Sequence, residues 1–206
     1  MKPIYWLLGL LALLALGAAV FIVSGAYNIA ADEPHWRLTE YAMNTVRRRS
    51  IAARASSIVV PDLDDESMIR TGAGNYDAMC AGCHLRPGVE QTELSSGLFP
   101  SPPKLSQRRS ANPAAAFWVI KHGIKMTGMP AWGKSMEDEY LWGMVAFLQK
   151  LPDMSPDRYD ELVKASGGHQ HSAADAALPA SDAETGIAPA EDAGIEDHAK
   201  APPHDH

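Results

Sequence analysis

The sequence predicts an all-α protein, in which one apolar N-terminal helix precedes a helical domain over residues 61–153. Three observations support this prediction. Residues 4–23 form an uncharged apolar run, later segments place apolar residues at helical spacing between capping residues, and no segment carries a convincing strand pattern. A chain of 206 residues has room for one domain with flanking segments.

The N-terminal apolar run extends from Ile4 to Val23. At about 1.5 Å per residue it spans roughly 30 Å, which is the thickness of a bilayer core. It predicts a membrane anchor over residues 1–24. A signal peptide cleaved near Ser24-Gly25-Ala26 is the alternative, although the run exceeds the usual signal core of roughly 7–15 residues. In both cases the rest of the chain is expected on the exported side, because Lys2 precedes the run.

Residues 25–60 predict a basic juxtamembrane helix or spacer. Trp36, Leu38, Tyr41 and Val46 belong to an irregular apolar stripe. The basic side consists of Arg37, Arg47, Arg48, Arg49 and Arg54. Such a helix either lies on a surface of anionic lipid or packs on the main domain as a spacer, and the sequence leaves both possibilities open.

The domain over residues 61–153 contains three predicted helices, separated by a loop rich in Pro, Gly and Ser over residues 85–113. Each helix is bounded by residues that favour its ends. The helices are 65–79 with Asp64 as N-cap, 113–122 between Asn112 and Gly123, and a last one from the capping candidate Ser135 to Leu151, before Pro152.

The C-terminal segment is acidic. Eleven of the twenty-five acidic residues follow residue 153, against three of the eighteen basic residues, so the formal charge of −7 originates there. Few large apolar residues occur, which predicts a disordered tail over residues 154–206. It contains His169, His171, His198, His204 and His206. Histidines among carboxylates suggest weak binding of copper, nickel or zinc, and a solubilising tail without metal is the alternative.

The two cysteines lie in the motif Cys80-Ala81-Gly82-Cys83-His84. A disulfide that closes so short a loop would stabilise little, so the pair calls for a chemical explanation. The motif is typical of haem attachment: two thiols three residues apart bond the vinyl groups, and the adjacent His84 ligates the iron. A thioredoxin-like pair would need an α/β context, and a zinc site would need a second Cys/His pair at zinc-finger spacing. The sequence offers neither.

With these residues, the chain resembles a class I mono-haem cytochrome c over roughly residues 62–152. Three features besides the haem motif carry the resemblance. They are Gly72-x-x-x-Tyr76-x-x-x-Cys80, similar to the family's N-terminal helix; Thr127-Gly128-Met129-Pro130-Ala131-Trp132, similar to its distal-ligand loop; and Leu141 to Leu151 with Phe147, similar to its last helix. The resemblance implies helices around one covalent haem, with a close crossing at Gly72. Leu85 departs from it, because a small residue commonly follows the ligand His.

The resemblance also implies a methionine as the second axial ligand. His/Met ligation raises the reduction potential, because a thioether favours ferrous iron. Met129 is the favoured candidate, since Pro130 fixes the backbone beside it. Met126 lies in the same loop, and His122 is the rival ligand outside it.

Two further residues are expected to contact the haem or its ligand. The segment around Pro103 resembles the family segment whose carbonyl accepts a hydrogen bond from the second nitrogen of the ligand histidine, here His84. Trp132 is expected either to donate to a haem propionate or to pack in the core.

Between Lys104 and Met136 the chain has no acidic residue but six basic ones. They are Lys104, Arg108, Arg109, Lys121, Lys125 and Lys134. They predict a positive docking face for an acidic redox partner, with ordinary solvated charge as the alternative.

The sequence therefore predicts a one-electron carrier rather than an enzyme. The carrier could also be one subunit of a larger oxidoreductase. A single transmembrane helix would tether it to the inner (cytoplasmic) membrane, with its haem domain on the periplasmic side. It would shuttle electrons between a dehydrogenase or quinol-oxidising complex and an oxidase or reductase. No nucleic-acid partner is expected. The alternatives are a haem enzyme or sensor with an open axial position, and a periplasmic metal-binding protein that uses the His-rich tail.

Overall fold

The computed structural model describes residues 2–172, and within this range all regular structure is helical. The α-helices are α1 (Lys2–Val23), α2 (Arg37–Ala55), α3 (Glu66–Met79), α4 (Ala81–His84), α5 (Glu93–Gly97), α6 (Pro113–His122), α7 (Asp138–Lys150) and α8 (Pro156–Ala165). Three short 3-10 turns lie at Leu105–Gln107, Trp132–Lys134 and Leu151–Asp153. The all-α prediction is confirmed.

Helix α1 contains the apolar stretch Pro3–Val23, which has a mean hydropathy of 2.7 and no part buried inside the protein. Its length and composition suit one membrane crossing, and a signal sequence has the same properties. Aromatic contacts join its end to the start of α2. The rings of Phe21 and Trp36 lie 5.9 Å apart, and the Tyr27 hydroxyl lies 2.8 Å from His35 Nδ1.

The caps show how far local sequence determines helix ends. Helix α6 is bounded by Asn112 and Gly123 as predicted. Helix α3 is capped by Asp65 instead of Asp64, because the Asp65 carboxylate accepts from two backbone N–H groups of the first turn. Ser135 does not cap α7. It follows the 3-10 turn Trp132–Lys134, and its hydroxyl donates to the Trp132 carbonyl at 3.3 Å.

The centre of the domain is the crossing of α3 and α7 at two glycines. A Cβ built on Gly72 would lie 2.0 Å from the carbonyl oxygen of Gly143, so the two backbones are in direct contact. One turn further along, the rings of Tyr76 and Phe147 lie 5.3 Å apart. The close crossing at Gly72 that the resemblance implies is therefore present, and Gly143 is its counterpart on α7.

Helices α6 and α2 pack in succession on one side of this crossing. Phe117 of α6 stacks on Trp142 of α7 with ring centroids 4.1 Å apart. Helix α2 packs on α6 and buries Ala55, while Leu38 and Tyr41 stay 78% and 71% exposed. Helix α2 thus packs on the domain through one face and leaves a second, partly apolar face outside.

The prediction of a disordered tail that begins at residue 154 is wrong for its first part. Residues 156–165 form α8, which Ser155 caps by accepting from the Arg158 N–H. Tyr159 is buried against the rings of Tyr76 and Phe147, and its hydroxyl donates to Asp77 at 2.8 Å. Leu162 and Val163 of the same helix also pack against the core, so three apolar side chains hold a helix that is rich in charged residues. Residues 173–206, with His198, His204 and His206, lie outside the described residues.

Candidate haem site

The haem motif forms a single tight turn at the end of α3. The Cys80 N–H donates to the Tyr76 carbonyl at 2.8 Å, and the His84 N–H donates to the Cys80 carbonyl at 2.8 Å. Both thiols are free; Cys80 is buried and Cys83 is half-buried. The turn therefore holds two thiols and one imidazole within five residues, as covalent attachment with adjacent iron ligation requires.

The Cys80 thiol lies against the apolar core. Its Sγ lies 4.0 Å from the Sδ of Met144 in the core. Burial, and secondarily the nearby Cys83, raises the pKa of the Cys80 thiol to about 12. A neutral, buried thiol beside an apolar core suits a thioether link to an apolar ring.

The ring of His84 is held in a defined orientation. Its Nδ1 lies 2.9 Å from the carbonyl oxygen of Pro103, where the sequence analysis expects that contact. Burial lowers the pKa of His84, which favours the neutral ring. Because a carbonyl only accepts hydrogen bonds, Nδ1 carries the proton and donates, and Nε2 keeps its lone pair. That tautomer suits ligation of iron through Nε2.

The chain leaves the motif through a residue with unusual backbone geometry. Leu85 has φ 67° and is 2% exposed. The buried Tyr76 hydroxyl donates to the Leu85 carbonyl at 2.6 Å. This bond compensates for a backbone conformation that disfavours a leucine. The role of Tyr76 as a support of the turn is not evident from the sequence, although its spacing from Cys80 places it one turn earlier on the same helix.

The loop after α6 directs its two methionines differently. Gly123 adopts φ 64°, and a Cβ there would lie 2.7 Å from the Met129 carbonyl oxygen. The Ile124 N–H donates to the same carbonyl at 3.2 Å, and the Thr127 hydroxyl accepts from the Met129 N–H at 3.1 Å. Met129 packs against the core, whereas Met126 is 84% exposed. The geometry therefore favours Met129 as the inward-facing thioether.

The remaining predicted residues take peripheral positions. Trp132 packs against the edge of the core. His122 is exposed, with its ring 5.0 Å from that of Trp118. An open depression lies beside the motif turn between Gly82 and α5, and neither His84 nor Met129 is among its lining residues. Two thiols, a fixed neutral imidazole and an inward thioether together fit haem c with His/Met ligation.

The six basic residues predicted to form a docking face divide into two groups. Three form salt bridges with carboxylates from other parts of the chain: Lys104 with Glu90 at 3.5 Å, Lys121 with Asp138 at 2.7 Å, and Arg109 with Asp153. The other three, Arg108, Lys125 and Lys134, form no salt bridge with any residue from 2 to 172. We call these three the distal basic residues.

The comparison with protein families agrees with the geometry. The family model described as "Cytochrome C oxidase, cbb3-type, subunit III" matches residues 67–148, which run from the first turn of α3 to the last turn of α7. No curated protein and no solved structure matches the chain. A cytochrome c domain implies covalently bound haem c and a role in electron transfer. The match covers residues 67–148, less than half of the chain, and over that range it supports a mono-haem c-type cytochrome domain.

Proposed function

We propose that the protein carries single electrons through one haem, attached at Cys80 and Cys83 and ligated by His84 and Met129. The observation that carries this proposal is the His84–Pro103 contact, which fixes the ring through Nδ1 and reserves Nε2 for a metal. The inward packing of Met129 supplies a second axial ligand of the expected chemistry.

Each of these residues has a separate task. The haem iron supplies the one-electron chemistry. Cys80 and Cys83 prevent dissociation of the cofactor, because two thioether bonds must break before it can leave. The Pro103 carbonyl raises the basicity of the His84 ring by accepting its Nδ1 proton in a hydrogen bond. The Met129 thioether stabilises the ferrous state and raises the potential.

The attachment is tested by replacing Cys80 and Cys83 together with serine. We expect the covalent haem to be lost and the domain to fail to fold, since a small domain buries little apolar surface without its cofactor. The measurements are haem staining after denaturing electrophoresis and circular dichroism. A stable helical protein without haem would contradict the proposal.

The axial ligand is tested by a matched pair of substitutions. Met129→Ala should produce high-spin iron or a substitute ligand, remove the far-red methionine–iron band of the ferric protein and lower the potential. Met126→Ala should do none of these, because that side chain is 84% exposed. If Met126→Ala alone removes the band, the ligand assignment is wrong.

A haem enzyme or sensor with an open axial position is the second candidate, and the same ferric spectrum separates it from the carrier. A high-spin spectrum of the unmodified protein would favour the enzyme. The inward position of Met129 favours the carrier. The third candidate, metal binding by the histidine tail, concerns mainly residues outside 2–172.

The proposed location is the inner membrane, with α1 as a single-pass anchor and the haem domain on the periplasmic side. The uncharged stretch Pro3–Val23 and the preceding Lys2 support it. Carbonate extraction of the full chain should leave it in the membrane fraction, and removal of residues 2–23 should release it. Release of the full chain by carbonate would refute the anchor.

The proposed partner is an acidic redox protein that docks at the distal basic residues. Their charges are not offset by a salt bridge within residues 2–172, so they are available to steer a partner. The match to a family named for an oxidase subunit also supports a place as one electron-carrying subunit of a larger oxidoreductase.

A further inference from the structure

The residues after α8 turn back onto α3 and are anchored there. A Cβ built on Gly74 would lie 2.3 Å from the Ser166 hydroxyl and 2.5 Å from the Gly168 carbonyl oxygen, so only glycine admits this approach. The Gln170 N–H donates to the buried side chain of Asn75 at 2.8 Å. These contacts fix the backbone of residues 166–170 against α3.

A second anchor holds the next residue. The Glu137 N–H donates to the carbonyl of His171 at 3.2 Å, which ties the segment to the start of α7. The rings of His169 and His171, on either side of Gln170, contact each other and so share one side of the segment.

Met79, the last residue of α3, lies on that side. His169 Nε2 is 2.9 Å from the Sδ of Met79, and the ring centroids of His169 and His171 are 4.3 Å apart. All three side chains are half-buried. His169 thus contacts both Met79 and His171, which groups two imidazoles and one thioether at a place that the haem ligands do not use.

The chemistry of this set selects a particular metal. Thioether sulfur is a soft ligand that prefers Cu(I), whereas zinc favours thiolate, imidazole and carboxylate, and magnesium or calcium favours oxygen. Within residues 2–172 no three His, Cys, Asp or Glu side chains converge, so a site here depends on the sulfur as third ligand. We propose that Met79, His169 and His171 bind one Cu(I) ion.

The site differs from weak metal binding by the histidine tail as a whole, which would also use His198, His204 and His206 and would not need Met79. The experiment uses the full chain with its haem, purified in detergent under anaerobic conditions. Its affinity for Cu(I) is measured by competition with bicinchoninate. Binding is also measured after deletion of residues 173–206.

The test variant is Met79→Leu, which nearly conserves volume, and its matched control is Met126→Leu at an exposed position. Met79→Leu should weaken Cu(I) binding by at least about tenfold, since the loss even of outer-shell partners costs roughly 10–100-fold. Met126→Leu and the deletion should leave the affinity unchanged. X-ray absorption at the copper edge should show one sulfur and two nitrogen neighbours.

Met79 precedes Cys80, so the haem content of each variant is measured from its absorbance. His169→Gln and His171→Gln, which lie off α3, provide a second pair that should weaken binding with full haem content. Loss of binding on deletion of residues 173–206, equal effects of the two Met→Leu changes, or an absorption spectrum without sulfur would each overturn the proposal. Because none of these measurements depends on electron transfer, the electron-carrier proposal and the copper proposal can fail separately.

Discussion

Replacing Gly72 with alanine perturbs the closest contact in the domain. The added Cβ would lie 2.0 Å from the carbonyl oxygen of Gly143, 2.4 Å from its carbonyl carbon and 2.9 Å from the nitrogen of Met144. All three are backbone atoms of α7, so no side-chain rotation can relieve the clash and the helices must separate. Overpacking costs about 1–3 kcal/mol, and occasionally more.

The net effect follows from two opposed contributions. A backbone clash of this severity belongs at or beyond the upper end of that range, about 3 kcal/mol. Alanine has a higher helix propensity than glycine, which stabilises α3 by about 1 kcal/mol. We therefore expect Gly72→Ala to lower the free energy of unfolding by at least about 2 kcal/mol.

Gly143→Ala is the matched control on the other helix. Its added Cβ would lie 3.1 Å from the carbonyl oxygen of Met68 and 3.5 Å from the nitrogen of Gly72, so a shift of a few tenths of an ångström suffices. The same propensity gain of about 1 kcal/mol offsets that adjustment. This variant should be close to the wild type in stability.

The assay is thermal unfolding of the haem-loaded full chain, followed by circular dichroism and haem absorbance. For a domain of this size each kcal/mol shifts Tm by about 4–8 °C, so a loss of at least about 2 kcal/mol in Gly72→Ala should lower Tm by at least about 8 °C. Equal shifts for the two variants, or a larger shift for Gly143→Ala, would refute the asymmetry derived from the contact distances.

Two further predictions concern the surface and α8. Reversing the distal basic residues to Glu should slow electron exchange with an acidic partner and flatten its salt dependence, because screening acts over about 10 Å at 0.1 M. Stopped-flow rates are compared with those of a triple reversal of Arg47, Arg48 and Arg49 on α2, which changes the net charge by the same amount; equal effects would mean that only net charge matters. Tyr159→Phe should cost about 0.5–1.5 kcal/mol through loss of the bond to Asp77, and Tyr159→Ala about 3–5 kcal/mol through loss of the buried ring. Denaturant unfolding measures both, and two variants as stable as the wild type would show that α8 does not pack on the domain.

Features set by neighbouring residues could be predicted from the sequence. Helix α6 begins after Asn112 and ends at Gly123, because both signals act within one turn. The apolar positions of α7 that helical spacing singles out, among them Leu141 and Leu148, are buried. The motif turn from Cys80 to His84 is equally local, which is why its geometry agrees with expectation.

Other features could not be predicted from helix caps and apolar spacing alone. Ser135 has the right chemistry for a cap, but the preceding 3-10 turn determines where α7 begins. Helix α8 has a polar composition, and only the pocket formed by α3 and α7 accounts for its buried Tyr159. The contact of His84 with Pro103 spans 19 residues and was expected only because the sequence resembles a known family.

The aromatic contacts at the end of α1 have a consequence for how the protein meets its partners. Thirteen residues separate α1 from α2, and fully extended they would reach roughly 45 Å. Instead, Phe21 contacts Trp36, and the His35 ring lies 5.0 Å from Phe99, which precedes the segment that binds His84. If α1 anchors the protein as proposed, a haem bound at His84 would be carried on a short arm. Its encounters with partners in the same membrane would be a two-dimensional search, with a rate that depends on lateral diffusion and crowding in that plane.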